Sequence, residues 1–141
     1  MAFLSEDDKD SERDRAIKMN VIRYKFQAHG CNQGKLVAIE ELKDIPFPIR
    51  RVYYTYDLKP EDTRGHHAHK TLQQVLICIS GKCRLILDDG SEATTVTLDK
   101  PNEGIYIPNT IWREIEDFSP GTVLLILASE LYDEAHQSRR Q

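Results

Sequence analysis

At 141 residues and 16.3 kDa the chain has room for one compact domain with its own core, and not for two ordinary ones. Nineteen basic against 23 acidic side chains leave a net charge of -4, which argues against a generic polyanion binder, because contacts to a phosphate backbone need a basic face. No run approaches the roughly 18 apolar residues of a membrane helix, and the N-terminus lacks the apolar stretch of a signal peptide. A cytoplasmic protein is expected, with neither nucleic acid nor membrane as a partner.

Residues 1–18 hold ten charged side chains and too few apolar ones to offset the entropy of ordering. A charged, disordered N-terminal extension is expected there, followed by a single domain over 19–141. From Val21 the texture changes to short runs of Val, Ile, Leu, Tyr and Thr separated by turn residues. In chain order these predict strands over 21–26, 35–40, 49–57, 73–79, 82–88, 92–98, 104–107, 112–116 and 121–128. Ser80-Gly81 and Asp88-Asp89-Gly90 read as hairpin turns, and Pro101, Pro108 and Ser119-Pro120-Gly121 as loops. Only 129–139 reads as helical. So many short strands predict an antiparallel sandwich or barrel rather than alternating βα units. Cys31, Cys78 and Cys83 form no CxxC pair and read as reduced thiols, the last two as buried small hydrophobes.

The chemistry concentrates in Arg64-Gly65-His66-His67-Ala68-His69. Residues two apart on a strand share a face, so His67 and His69 project together while His66 points elsewhere. A pair of imidazoles suits either a metal or proton transfer. The run from Gly65 to Gly81 resembles the first cupin motif, in which two His and a later Glu bind metal, and Gly104 to Arg113 is similar to the second, which supplies a third His. Here Gln74 stands at the Glu position and Arg113 at the late His position. Two neutral ligands beside a fixed cation fall short of the three or more protein ligands usual for a divalent ion. No metal and no cofactor are expected, and the histidines are freed for proton transfer.

A longer resemblance is carried by LVAIEE, IPFPIRRVYYTYD, RGHHAHKTLQQVLICISGKCRLILDDG, GIYIPNTIWREI and LLILASELYDE. In motif order and spacing over roughly 110 residues the chain resembles the dTDP-4-keto-6-deoxyglucose 3,4-ketoisomerases, the WxcM-like cupins. That resemblance implies an all-β cupin (jelly-roll) barrel of antiparallel strands, to which the reading above adds a short C-terminal helical tail. It implies a homodimer, often with exchanged N-terminal strands. The implied substrate is a dTDP-linked 4-keto-6-deoxyhexose, on the way to 3-amino-3,6-dideoxy sugars of bacterial surface glycans such as the O-antigen.

In the implied reaction a base removes the C3 proton acidified by the C4 carbonyl, an enediol forms, and a proton returns to C4. His67 is the first choice for the base, because RG-x-H also resembles the base-bearing motif of the dTDP-sugar 3,5-epimerases, and His69 is the assisting shuttle. The division of labour between the two stays open. Arg113, Gln74 and Tyr106 are candidates to steady the enediolate, with a salt bridge to Glu114 or Glu116 as the alternative for Arg113. Arg64, Arg51 and Arg84 are candidates for the diphosphate. Of Tyr53 and Tyr54, which point to opposite faces, one is expected to pack in the sheet, the other being placed to meet the thymine. Trp112 reads as core or pocket wall. Members of this family differ with product stereochemistry at the positions of Gln33 and Arg113, and Arg113 leans toward the gluco product. The alternatives are a 3,5-epimerase-like enzyme, a non-catalytic sugar-binding cupin and a metal-dependent oxygenase.

Overall fold

A computed structural model of the chain describes residues 16–132 and 137–139. The described residues form strands only, in chain order β1 Ala16–Lys18, β2 Val21–Lys25, β3 Ala28–Cys31, β4 Gly34–Val37, β5 Arg51–Thr55, β6 Arg64–His69, β7 Gln74–Ser80, β8 Cys83–Asp88, β9 Ala93–Leu98, β10 Glu103–Ile107, β11 Trp112–Glu116, β12 Val123–Ala128 and β13 Gln137–Arg139. A six-stranded sheet in the order β1-β2-β10-β7-β12-β5 faces a five-stranded sheet in the order β13-β6-β11-β8-β9. Every pairing between these strands is antiparallel. This is the jelly-roll barrel of a cupin. No helix among the described residues is long and apolar enough to cross a membrane.

Alternation along the strands builds the core. On β8, Cys83, Leu85 and Leu87 are buried while Arg84 is exposed, and on β9 Val96 and Leu98 face the same interior. They meet Leu76, Cys78, Ile105, Ile107, Leu124 and Ile126 from the opposite sheet. β7 is different, with five consecutive buried residues from Gln74 to Cys78. Its second face packs with Phe26 and Leu127 under Ile45 and Phe47, so the strand is covered on both sides and reads as a continuous apolar run.

Two expectations need correction. Among the described residues of 129–139 there is no helix: 129–132 carry no regular structure, 133–136 lie outside the described residues, and Gln137–Arg139 form β13 against β6. The open edge of β6 offers unpaired backbone groups, and satisfying them outweighs a weak helical preference. Ser80-Gly81 does not join paired strands; it carries the chain from one sheet to the other, with Gly81 at φ +76° and no room for a Cβ beside Thr122. Asp88-Asp89-Gly90 does join the paired β8 and β9, where the Asp88 and Asp89 carboxylates accept backbone N–H bonds of 2.7 Å from Gly90 and Ser91. Of the charged head, residues 1–15 lie outside the described residues and Ala16–Lys18 pair with β2. The short β3–β4 hairpin stands apart from both large sheets.

Candidate active site

The site is built on a bulge. His67 pairs with Arg113 and Gly65 with Glu114, so β6 holds one residue more than β11, and that residue is His66. Gly65 and His66 have φ of +85° and +60°, the left-handed backbone that such a bulge demands. A Cβ on Gly65 would stand 2.7 Å from the Arg113 carbonyl oxygen, so only glycine fits. His66 lines the outer cleft beside Thr63, whose Oγ1 shares a hydrogen bond of 2.8 Å with its Nε2. Glu114, which accepts a 2.8 Å bond from the Trp112 indole, lies 3.8 Å from His66 Nδ1.

Beyond the bulge, His67 and His69 share the inner face with their rings edge to face and centroids 4.4 Å apart. His67 Nδ1 lies 2.8 Å from the Gly65 carbonyl oxygen. A carbonyl only accepts, so Nδ1 carries the proton and the basic lone pair sits on Nε2. His69 is buried, and its Nε2 has no partner among the described residues. Burial first, then the charges of Arg113, His67 and Arg51, push its pKa down to about 3. His69 is therefore neutral across the physiological range, able to give one proton and take another.

Strand register brings the remaining groups together. Arg51 lies beside Ala128, which lies beside Gln74, and two residues along Tyr53 lies beside Ile126, which lies beside Leu76. Arg51, Tyr53 and Gln74 thus share the interior face with the histidines. Arg113 is 1% exposed. Its Nη1 donates to Gln74 Oε1 at 2.6 Å and its Nη2 to the Ile111 carbonyl at 2.9 Å, while Gln74 Nε2 donates to the Tyr53 hydroxyl at 2.9 Å. Burial pulls the Arg113 pKa down to about 10, against the opposing pull of the Tyr53 phenol. The Arg51 guanidinium lies 4.7 Å from the centre of the Tyr53 ring and 5.4 Å from that of Tyr132.

An open cleft of about 540 Å³ is lined by Arg51, Tyr53, Arg64, His67, His69 and Tyr132. A smaller chamber of about 70 Å³ continues past His67 and Tyr53 to Gln74, Arg113 and the apolar Leu76, Leu124 and Ile126.

Among the sequence-derived candidates, the structure brings together His67, His69, Arg51, Tyr53, Arg64, Gln74 and Arg113. It places three elsewhere. Tyr106 points to the opposite face of β10, against Tyr24 and Phe47, and donates to Gln73 at 2.6 Å. One residue of parity decides this, since Ile105 and Ile107 take the inner face. Arg84 is on the outer face of β8, paired with Glu116 at 3.4 Å and Asp117 at 3.0 Å. Gln33 sits exposed in the turn between β3 and β4. Arg113 has neither expected carboxylate partner, because its side chain shares the inner face with His67. Tyr132 and Thr63 also wall the cleft; a sequence pattern gave no sign of either, since both lie in stretches without regular structure.

Among the described residues no group of three or more His, Cys, Asp or Glu side chains gathers as a metal site would require. A jelly-roll barrel with two imidazoles in the wall of an open cleft and a buried guanidinium behind them defines the class: a cupin. Within that class the chain belongs to the WxcM-like, C-terminal family, whose profile matches residues 19–140.

Three similar proteins are named for one activity. The chain is 52% identical, over 109 residues and 77% and 78% of the two chains, to the TDP-4-oxo-6-deoxy-alpha-D-glucose-3,4-oxoisomerase of Aneurinibacillus thermoaerophilus. It superposes with a TM-score of 0.85 on a histidine-to-asparagine variant of the 3,4-ketoisomerase QdtA from Thermoanaerobacterium thermosaccharolyticum in complex with TDP-4-keto-6-deoxyglucose, at 43% identity over 88% of this chain and 90% of that one. With the TDP-quinovose 3,4-ketoisomerase WlaRB of Campylobacter jejuni the TM-score is 0.84, at 45% identity over 86% and 94% of the two chains.

Proposed function

We propose that this chain is a metal-independent isomerase that converts dTDP-4-keto-6-deoxyglucose to the 3-keto sugar. The observation that carries the reading is the pair of imidazoles 4.4 Å apart, the inner one neutral and the outer one presenting Nε2 as its basic atom. His67 takes the C3 proton, and the electron pair of that bond forms the C3–C4 double bond of an enediolate. The proton is returned to C4, and loss of the O3 proton leaves the carbonyl at C3. Oxidation at C3 balances reduction at C4, so no outside electron carrier is needed. His69, with one N–H and one lone pair, moves the proton between O3 and O4. Arg51 and Arg64 in the cleft lining suit a diphosphate. A carbonyl at C3 is the form that amination at that carbon requires.

Two finer readings go with this. The gluco product is supported by Arg113 and by the 45% identity to an enzyme named for TDP-quinovose. A homodimer is supported by the exposed Val52, Tyr54, Tyr56 and Ile79 on the outside of the six-stranded sheet, a patch that a second copy would cover. It is supported too by the β3–β4 hairpin, which joins neither large sheet.

The test is turnover of dTDP-4-keto-6-deoxyglucose in heavy water. Wild type should place deuterium at C4, and proton NMR of the product reads the C4 configuration. His67→Asn should bind TDP normally and lose about two or more orders of magnitude in kcat together with C3 exchange. His69→Asn should be the milder lesion. Retained exchange in His67→Asn and lost exchange in His69→Asn would reverse the roles. If neither variant affects exchange, the imidazole pair is not the catalytic apparatus. Sedimentation equilibrium tests the dimer, and Tyr54→Glu should shift it toward monomer.

A further inference from the structure

The inner chamber borders a charge that has no counter-charge. Its space of about 70 Å³ lies between four aliphatic side chains, Leu76, Ile115, Leu124 and Ile126, and the polar Thr55, Arg64 and Arg113. Among the described residues no Asp or Glu lines it. Arg113 is 1% exposed and cationic at neutral pH, since burial brings its pKa down only to about 10. Its two Nη atoms donate to neutral acceptors, the Gln74 amide oxygen and the Ile111 carbonyl. Its Nε has no hydrogen-bond partner among the described residues, and neither has the buried Oγ1 of Thr55. Two unpaired donors therefore belong to residues that wall the same small space. A buried ion is costly unless an opposite charge lies against it. Neutral acceptors, water included, meet its hydrogen bonds without cancelling that charge. An anion does both, because it accepts from Nε and from the Thr55 hydroxyl while neutralising the guanidinium. The chamber has room for about two water molecules, which fits a halide and excludes a nucleotide.

We propose that the inner chamber is a binding site for a small monovalent anion of the size of chloride, held by Arg113 Nε and the Thr55 hydroxyl. The site follows from burial and charge alone and does not depend on the ketoisomerase reading.

Bromide is the probe, because its anomalous scattering tells it from water. Crystals of the full chain grown in sodium bromide, with and without TDP, should show an anomalous peak inside the chamber within hydrogen-bond reach of Arg113 Nε and Thr55 Oγ1. In solution, sodium chloride should raise the thermal midpoint in a saturating way, as a ligand of the folded state does. Sodium gluconate, whose anion is too bulky for the chamber, should not do so at equal ionic strength, which holds screening constant. Thr55→Val keeps the side-chain shape and removes one donor. Its chloride affinity, read from the midpoint against chloride concentration, should fall about tenfold.

The proposal is overturned if the chamber of bromide-grown crystals holds water alone, if bromide is found only in the outer cleft, or if TDP displaces it from the chamber. It is overturned too if chloride and gluconate act alike, or if Thr55→Val keeps the wild-type chloride affinity. Should Thr55→Val fail to fold, the bromide position and the chloride–gluconate comparison on the wild type still decide. No sugar is turned over in any of these measurements, so their failure and that of the ketoisomerase reading are told apart.

Discussion

The depressed pKa of buried His69 predicts a stability that falls in mild acid. The ring is 4% exposed, and burial together with the neighbouring cations holds its pKa at about 3, against an ordinary 6.5 in the unfolded chain. A histidine whose folded pKa is depressed contributes stability that is fully present above the unfolded value and is lost as pH falls toward the folded one. Integrating the proton uptake of the unfolded state from pH 7.5 to 5.0 with these two pKa values gives a loss of about 2 kcal/mol from this one residue. The assay is urea unfolding at pH 7.5, 6.5, 5.8 and 5.0, at one fixed protein concentration, which removes any contribution of self-association from the comparison. Carboxylates titrate in the lower part of this window too, so the measurement is a difference. Wild type should lose about 2 kcal/mol more than His69→Gln, whose side chain does not ionise. Curves that run parallel within about 0.5 kcal/mol would refute the reasoning, and would mean that His69 takes up its proton in the folded state.

Gly65→Ala forces a Cβ to 2.7 Å from the Arg113 carbonyl oxygen at a φ of +85°; a loss of at least about 2 kcal/mol is expected, read as a lowered thermal midpoint, with kcat falling as the bulge shifts His67. Arg84→Ala removes only a surface pair worth about 0–1 kcal/mol and should leave KM for the nucleotide sugar unchanged; a rise of about tenfold would put Arg84 in the binding site after all. Tyr106→Phe deletes the bond to Gln73 on the far face of the sheet and should likewise spare KM, with unfolding in urea reporting its effect. Prolonged chelation should leave turnover intact, and a loss restored by one particular divalent ion would end the metal-independent reading.

Much of the architecture was legible in the chain because its signal is local. The β-type residue runs of 82–88 and 92–98 mark two strands, and Asp88-Asp89-Gly90 marks the turn between them. The pair His67 and His69 followed from a period of two, and the substitutions at Gln74 and Arg113 could be read against the cupin motifs. Other features depend on register between strands far apart in sequence. Tyr106 and Arg84 are basic or aromatic residues in strands of the right type, yet one step of parity turns each away from the cleft. The helical reading of 129–139 lost to the open edge of β6, a partner about seventy positions earlier. The left-handed turn at Gly65 and His66 has a cause only across the sheet, where β11 is one residue shorter than the strand it pairs with. The direction of the bonds from Arg113 through Gln74 to Tyr53 joins three strands and needs all of them in place. Residue type and short-range period set which groups the chain owns; which of them share a dry interior, and which way their protons point, is a property of the closed barrel, where burial removes water as the competing partner.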